Sequence, residues 1–228
     1  RHASDVYSAQ RRGGKGLIGM TTKDEDFIEK VICVGSHDFL LLFTNSGKVH
    51  IRKAYMIPEA SRTAKGSNLV NILDLAAGEK VTAIIAIKSF GVPAPSDDEL
   101  EAELSGDIDT DLVDNTENTE NTEISENTEN IEDQENNVND APLTGDYLVM
   151  VTRKGVIKRT ALSEYARARR GGKIALTLDD GDELVFVAYV NSPCDIIIAS
   201  RGGYAVRFPI NDRLLRPMGR NARGVRGI

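Results

Sequence analysis

A chain of 228 residues, 40% hydrophobic and 28% charged, is long enough to bury a core. It contains no apolar run of the roughly 18 residues that a membrane helix needs, and Arg1-His2-Ala3-Ser4-Asp5 has neither the order of a signal peptide nor an initiator Met, so it reads as a fragment of a cytosolic protein. Its formal charge of −7 would argue against a polyanionic partner if evenly spread, but 18 of the 35 Asp and Glu lie between Pro93 and Pro142 with no Lys or Arg, leaving 17 acids against 28 bases, a net of +11, elsewhere.

Near the N-terminus, Gln10-Arg11-Arg12-Gly13-Gly14-Lys15-Gly16 packs three cations and three glycines into seven residues. Glycines let backbone N–H groups approach a ligand, and Arg and Lys supply donors that suit phosphate; the stretch reads as a phosphate-gripping loop. Leu17 to Thr22 and Phe27 to Val34 are expected to be short strands around the break Lys23-Asp24-Glu25-Asp26. Asp38 to Thr44 reads as a buried strand, Asn45-Ser46-Gly47 as a tight turn and Lys48 to Arg52 as the return strand. Its period of two sends Val49 and Ile51 to a core and Lys48, His50 and Arg52 to water or a ligand. Cys33 and Cys194, in or beside apolar runs, are expected to be small core residues.

The hairpin recurs at Tyr147 to Arg159, around Arg153-Lys154-Gly155, and at Asp195 to Phe208, around Arg201-Gly202-Gly203. Basic loops recur with it: Arg62-Thr63-Ala64-Lys65-Gly66, Arg167-Ala168-Arg169-Arg170-Gly171-Gly172-Lys173, and Gly219-Arg220-Asn221-Ala222-Arg223-Gly224-Val225-Arg226. The spacing from Gly16 to Gly66 is 50 residues and from Gly172 to Gly224 is 52; from Gly66 to Gly172 it is 106, or 54 without the 52 residues from Val92 to Leu143. A period near 50 with about four strands per unit predicts an all-β, propeller-like array. Blades are expected near 10–60, 61–91 with 145–160, and 161–212, with a fourth starting at 213–228. The acidic insertion 92–144, with four copies of Asn-Thr-Glu and only scattered apolar residues, is expected to be disordered and to interrupt the second blade. Two readings of it stand: a solvated loop without a role, or an acidic strip that competes with DNA for the basic loops.

Gly14-Lys15-Gly16-Leu17-Ile18-Gly19 matches the G-x-G-x-x-G pattern formally, but it does not follow a strand or open a helix, as a dinucleotide loop must. No Lys-Ser or Lys-Thr follows these glycines, so a P-loop fails too. His2, His37 and His50 are scattered, without metal-ligand spacing, and catalysis has no support. Four cationic loops at one place in a repeat would form a row matched to a duplex backbone. The lack of aromatics in them argues for phosphate contact without base stacking or readout. A propeller that binds a protein partner is the rival reading.

Residues 10–16 are identical to the seven-residue box of the DNA gyrase A C-terminal domain, and Arg62 to Ile84, Asp182 to Val190 and Met218 to Ile228 resemble its successive blades. The resemblance implies a β-pinwheel of four-stranded blades, about three with the start of a fourth, whose neighbours exchange strands. It implies that double-stranded DNA is bent around the rim, in support of ATP-dependent negative supercoiling. The DNA-contacting set would be Gln10, Arg11, Arg12, Gly13, Gly14, Lys15, Gly16, Arg62, Lys65, Arg167, Arg169, Arg170, Lys173, Arg220, Arg223 and Arg226. By the same resemblance the fragment lacks the catalytic tyrosine and has no cofactor of its own; ATP and Mg²⁺ act elsewhere, the partners are the A subunit's N-terminal region and the B subunit in an A2B2 enzyme, and the location is the bacterial chromosome in the cytoplasm. The related topoisomerase IV domain, where the box is usually degenerate, is the alternative within the class.

Overall fold

The computed structural model describes residues 1–22, 26–93, 145–167 and 171–228. β1 (Phe39–Thr44) and β2 (Lys48–Lys53) form the expected hairpin, with Leu41 opposite Ile51 and Phe43 opposite Val49. β3 (Val81–Ile87) pairs antiparallel with the other edge of β1. The arrangement is repeated by β4 (Tyr147–Thr152), β5 (Val156–Ala161) and β7 (Leu184–Val190), where β5 and β7 flank β4. β8 (Asp195–Ala199) and β9 (Ala205–Pro209) form the third hairpin. Among the described residues there is no α-helix, only single 3-10 turns such as Leu162–Tyr165.

The outer strands come from elsewhere in the chain. β6 (Lys173–Ile174) leaves the third basic loop and pairs with β2, and β10 (Val225–Arg226) leaves the fourth and pairs with β5. The sheets therefore read β3-β1-β2-β6 and β7-β4-β5-β10, the same order twice, each ending in a strand lent by the following repeat. This cuts across the blade boundaries expected from loop spacing: β3 belongs with β1 and β2, not with β4 and β5. The acidic stretch accordingly enters between β3 and β4, at the passage from one sheet to the next, instead of within a sheet. The expectation of disorder there concerns residues 94–144, outside the described set.

Side-chain alternation explains the uninterrupted apolar run of β1. Leu41 and Phe43 face a core shared with Leu148, Met150, Leu184 and Val187 of the second sheet, whereas Leu40 and Leu42 face a second core with Ala54 and Leu73. In β4, likewise, Met150 points to the first sheet while Val149 and Val151 meet Ile198, Ile210 and Leu215 on the side of the third hairpin. A blade stacked between neighbours is buried on both faces and needs no polar side.

Three expectations fail for the same reason, that burial depends on neighbours. Leu17 to Thr22 and Phe27 to Val34 carry no strand, because no described hairpin edge pairs with them. His50 and Arg52 are 0% and 8% exposed; Gly172, just before β6, lies over the His50 ring, and Arg52 Nη1 turns back to donate to Ile51 O at 2.8 Å. Cys33 and Cys194 are both exposed, since Cys33 lies in the unpaired 27–34 segment and Cys194 just before β8.

Candidate nucleic-acid interface

Three of the basic loops share one backbone device. Gly14 N–H donates to Arg11 O at 3.0 Å, Ala64 N–H to Ser61 O at 2.9 Å and Ala222 N–H to Gly219 O at 3.1 Å. Two residues after each turn comes a glycine with positive φ: +72° at Gly16, +79° at Gly66 and +102° at Gly224, with +77° at Gly172 in the remaining loop. At Gly172 and Gly224 the glycine launches the chain across the hairpin of another repeat, as β6 and β10. At Gly224 the requirement is steric as well, since an added Cβ would lie 2.6 Å from Ile157 O.

In the first loop, the Gln10 side-chain oxygen accepts from Gly16 N–H at 3.0 Å. Gln10 thus closes the loop from within, leaving Arg11, Arg12 and Lys15 exposed. The segment after it is fastened to the second loop: Thr21 Oγ1 donates to Thr63 O at 2.7 Å, and Met20 packs over Gly66. Farther back, Arg1 Nε donates to Ile57 O at 2.7 Å, so residues 1–22 run beside 55–66 and bring the first two loops together. Arg62 is half-buried and Lys65 exposed.

In the third loop Arg167 is exposed, while Arg169 and Arg170 lie outside the described residues. Lys173 sits in β6 opposite Val49. In the fourth loop, Arg223 Nη1 lies 3.0 Å from Asp179 Oδ1, with both side chains largely exposed; such a pair contributes little and can yield to a phosphate. Arg226 Nε donates to Ile228 O at 3.2 Å, and Arg220 Nη1 reaches Ile174 O at 3.4 Å. The described cations therefore fall into two neighbourhoods, residues 11–15 with 62–65, and Arg167 and Lys173 with 220–226.

Two buried residues under the loops escaped the sequence pattern. The His50 ring lies beneath Gly172, where an added Cβ would come within 2.9 to 3.2 Å of it. Burial, and then the Arg52 charge, hold its pKa below the usual histidine value, so it is a neutral support. Lys158 occupies the equivalent strand position, 108 residues on, and its Nζ donates to Ala175 O at 2.8 Å and to Arg220 O. Burial and the neighbouring Arg220 depress its pKa to about 7. The repeat distance was the only sequence signal for this pair.

Among the described residues no group of three His, Cys, Asp or Glu is placed to hold a metal, and no helix is long and apolar enough to cross a membrane. The model of the DNA gyrase C-terminal domain, beta-propeller, matches residues 4–35, 38–88, 146–191 and 195–228. The chain is 38% identical over 224 residues to the DNA gyrase A subunit of Clostridium acetobutylicum, covering 98% of this chain and 20% of that protein. It is 40% identical over 225 residues to the DNA gyrase A subunit of Pseudomonas aeruginosa, covering 98% and 23%. It thus spans about a fifth of the length of these relatives. In fold it is similar to a solved DNA gyrase A C-terminal domain, with TM-score 0.52 at 19% identity over 99% of this chain and 55% of that one. A solved DNA topoisomerase IV C-terminal domain gives TM-score 0.55 at 20% identity over 84% and 43%. With most of its length matched by that family model, and with strand order, box and basic loops repeated as described, the chain belongs to the DNA gyrase C-terminal domain family of β-propellers.

Proposed function

We propose that this chain is the part of a gyrase A subunit that binds double-stranded DNA and bends it along its basic loops, in support of supercoiling by the whole enzyme. The observation that carries the reading is the recurrence of one loop geometry, an i to i+3 turn followed by a positive-φ glycine, at cationic segments one repeat apart. A duplex bent along such a row meets a cation at successive steps and needs no base code. Bending a short site costs on the order of a few kcal/mol, which summed phosphate contacts offset. The bond-breaking chemistry and ATP hydrolysis then lie in other parts of the A and B subunits, and the fragment neither cleaves DNA nor needs ATP or Mg²⁺ to bind it.

The test is a gel shift of the 228-residue chain with duplex DNA at about 50 and 200 mM salt, where six or more phosphate contacts reduce affinity by about 10³-fold or more, together with a footprint. Protection beyond one helical turn with that steep salt dependence supports the reading. Binding that is flat in salt would point to a protein-binding propeller. In the whole enzyme, Arg11, Arg12 and Lys15 changed together to Ala should abolish supercoiling and leave ATP-driven relaxation, and retained supercoiling would overturn the role of the box.

A further inference from the structure

Lys158 stands where an apolar side chain is the rule. It lies opposite Met150 in the β4–β5 ladder, and residues opposite one another in an antiparallel pair share a face. Its side chain therefore enters the core between the first two sheets, which Met150, Tyr165, Ala175 and Leu176 also fill, and it is 0% exposed. A lysine is seldom fully buried unless it is paired. Here the partners are main-chain carbonyls, Ala175 O at 2.8 Å and Arg220 O, both accepting from Nζ, and the Tyr165 hydroxyl donates to the same Ala175 O at 3.1 Å. Two charged groups act on the ammonium: Arg220 of the fourth basic loop opposes its charge, and Glu164, exposed in the turn after β5, favours it. Met150 of β4 and Ala175 and Leu176 beside it bring no ionisable side chain. A buried cation next to a second cation costs free energy that a nearby anion would recover.

The two carbonyls belong to successive basic loops. Ala175 follows β6, at the exit of the loop that carries Arg167 and Lys173, and Arg220 lies in the turn of the loop that carries Arg223 and Arg226. Nearer the surface the same two segments are joined again: Thr177 Oγ1 donates to Asn221 O at 2.7 Å, Thr177 N–H to Ala222 O at 3.3 Å and Arg220 Nη1 to Ile174 O at 3.4 Å. Lys158 is the buried end of this seam, and so it fixes the distance between two successive cationic loops. An ammonium donates more strongly than an amine, so the charged state holds the seam tighter. Burial and Arg220 bring the Lys158 pKa down to about 7, so both states are populated near neutral pH. A phosphate brought to Arg220 or Arg223 offsets the charge that opposes Lys158 and favours its proton.

We propose that Lys158 is a positioning residue for DNA, that it holds the third and fourth basic loops at one spacing, and that its protonation and the binding of a duplex across those loops favour each other. The inference rests on the DNA-binding reading and adds a control to it. Binding takes up a proton, and by reciprocity affinity falls as pH rises through the neutral range. Well below that range Lys158 is charged in both the free and the bound chain, and well above it neutral in both, so the change is confined to the interval between.

The experiment is fluorescence anisotropy of the 228-residue chain with a labelled duplex, at about 100 mM salt and from about pH 6 to about pH 9. Wild-type affinity should fall about five- to tenfold more across that range than the affinity of Lys158→Met, with the two proteins converging at the alkaline end; every other ionisable group is common to both. Thr177→Val, which loosens the same seam without removing an ionisable group, should weaken binding by one factor at every pH and keep the wild-type profile. Calorimetry in two buffers of different ionisation enthalpy at about pH 7.5 should show the wild type taking up about half a proton per bound chain and Lys158→Met about half a proton less. Parallel pH profiles for wild type and Lys158→Met, a profile flattened equally by Thr177→Val, or no proton uptake by the wild type would each overturn the proposal and leave salt-dependent DNA binding standing. Failure to bind the duplex in a salt-dependent way at any pH would overturn the DNA-binding reading itself, and this inference with it.

Discussion

Lys158 is an ammonium buried under a basic loop, held by the main-chain carbonyls of Ala175 and Arg220. Its pKa of about 7 in the folded chain lies below the ordinary 10.5, because burial first and Arg220 second disfavour the charge. Between those values the unfolded chain holds a proton that the folded chain does not, so stability rises with pH across that window and is flat below it. The expected slope is at most about 1.4 kcal/mol per pH unit, and Lys158→Met should remove it. Urea unfolding of both proteins at pH 6, 7, 8 and 9 checks the difference, and equal slopes would refute the assignment. Gly224 supplies a second test at this scale. With φ +102° and Ile157 O at 2.6 Å from an added methyl, Gly224→Ala should cost about 1–3 kcal/mol. At Gly219, where nothing lies within 4 Å, the same change should be nearly silent in the same denaturation experiment.

At the scale of elements, β1 is the strand with most to lose, being buried along its whole length on both faces. Leu41→Ala should destabilise by about 3 kcal/mol through lost transfer energy and the cavity left between the first two sheets, measurable as a lower urea midpoint at unchanged slope. In the first loop, removing Arg11, Arg12 and Lys15 together should reduce the steepness of the log-affinity against log-salt line by about 2 to 3, without changing the melting temperature, because all three are exposed. The hairpins and basic loops were legible in the sequence because their signals are local: a turn rich in Asn, Ser or Gly between apolar runs, and glycines beside cations. The lent strands β6 and β10 were not, since two residues carry no periodicity and their partners lie in another repeat. His50 illustrates the limit. Its alternation with Val49 and Ile51 does have period two, but no one-dimensional pattern shows that its ring is roofed by a loop 122 residues farther on, at Gly172. Phe27–Val34 shows the converse, a strand-like composition without a paired edge.

For the whole molecule, three apolar cores alternate with the sheets, and the first two sheets each hold a strand of the following repeat. Local destabilisation should therefore spread: a variant that unseats β10, such as Gly224→Ala, should also loosen β5 and the packing of the third hairpin. Hydrogen exchange read by peptide would show faster exchange in β4 and β5 as well as in the loop, and an effect confined to residues 219–228 would contradict it. The lent strand also imposes an order on synthesis. β2 ends at Lys53 and waits for Lys173, about 120 residues downstream, before its outer ladder is made. Lengthening that wait with an acidic insertion costs little at equilibrium, about 0.6 kcal/mol for each doubling of a flexible loop. Its burden falls on time: at about 5–20 residues per second, the first sheet leaves the ribosome with β2 open at its edge for several seconds to tens of seconds.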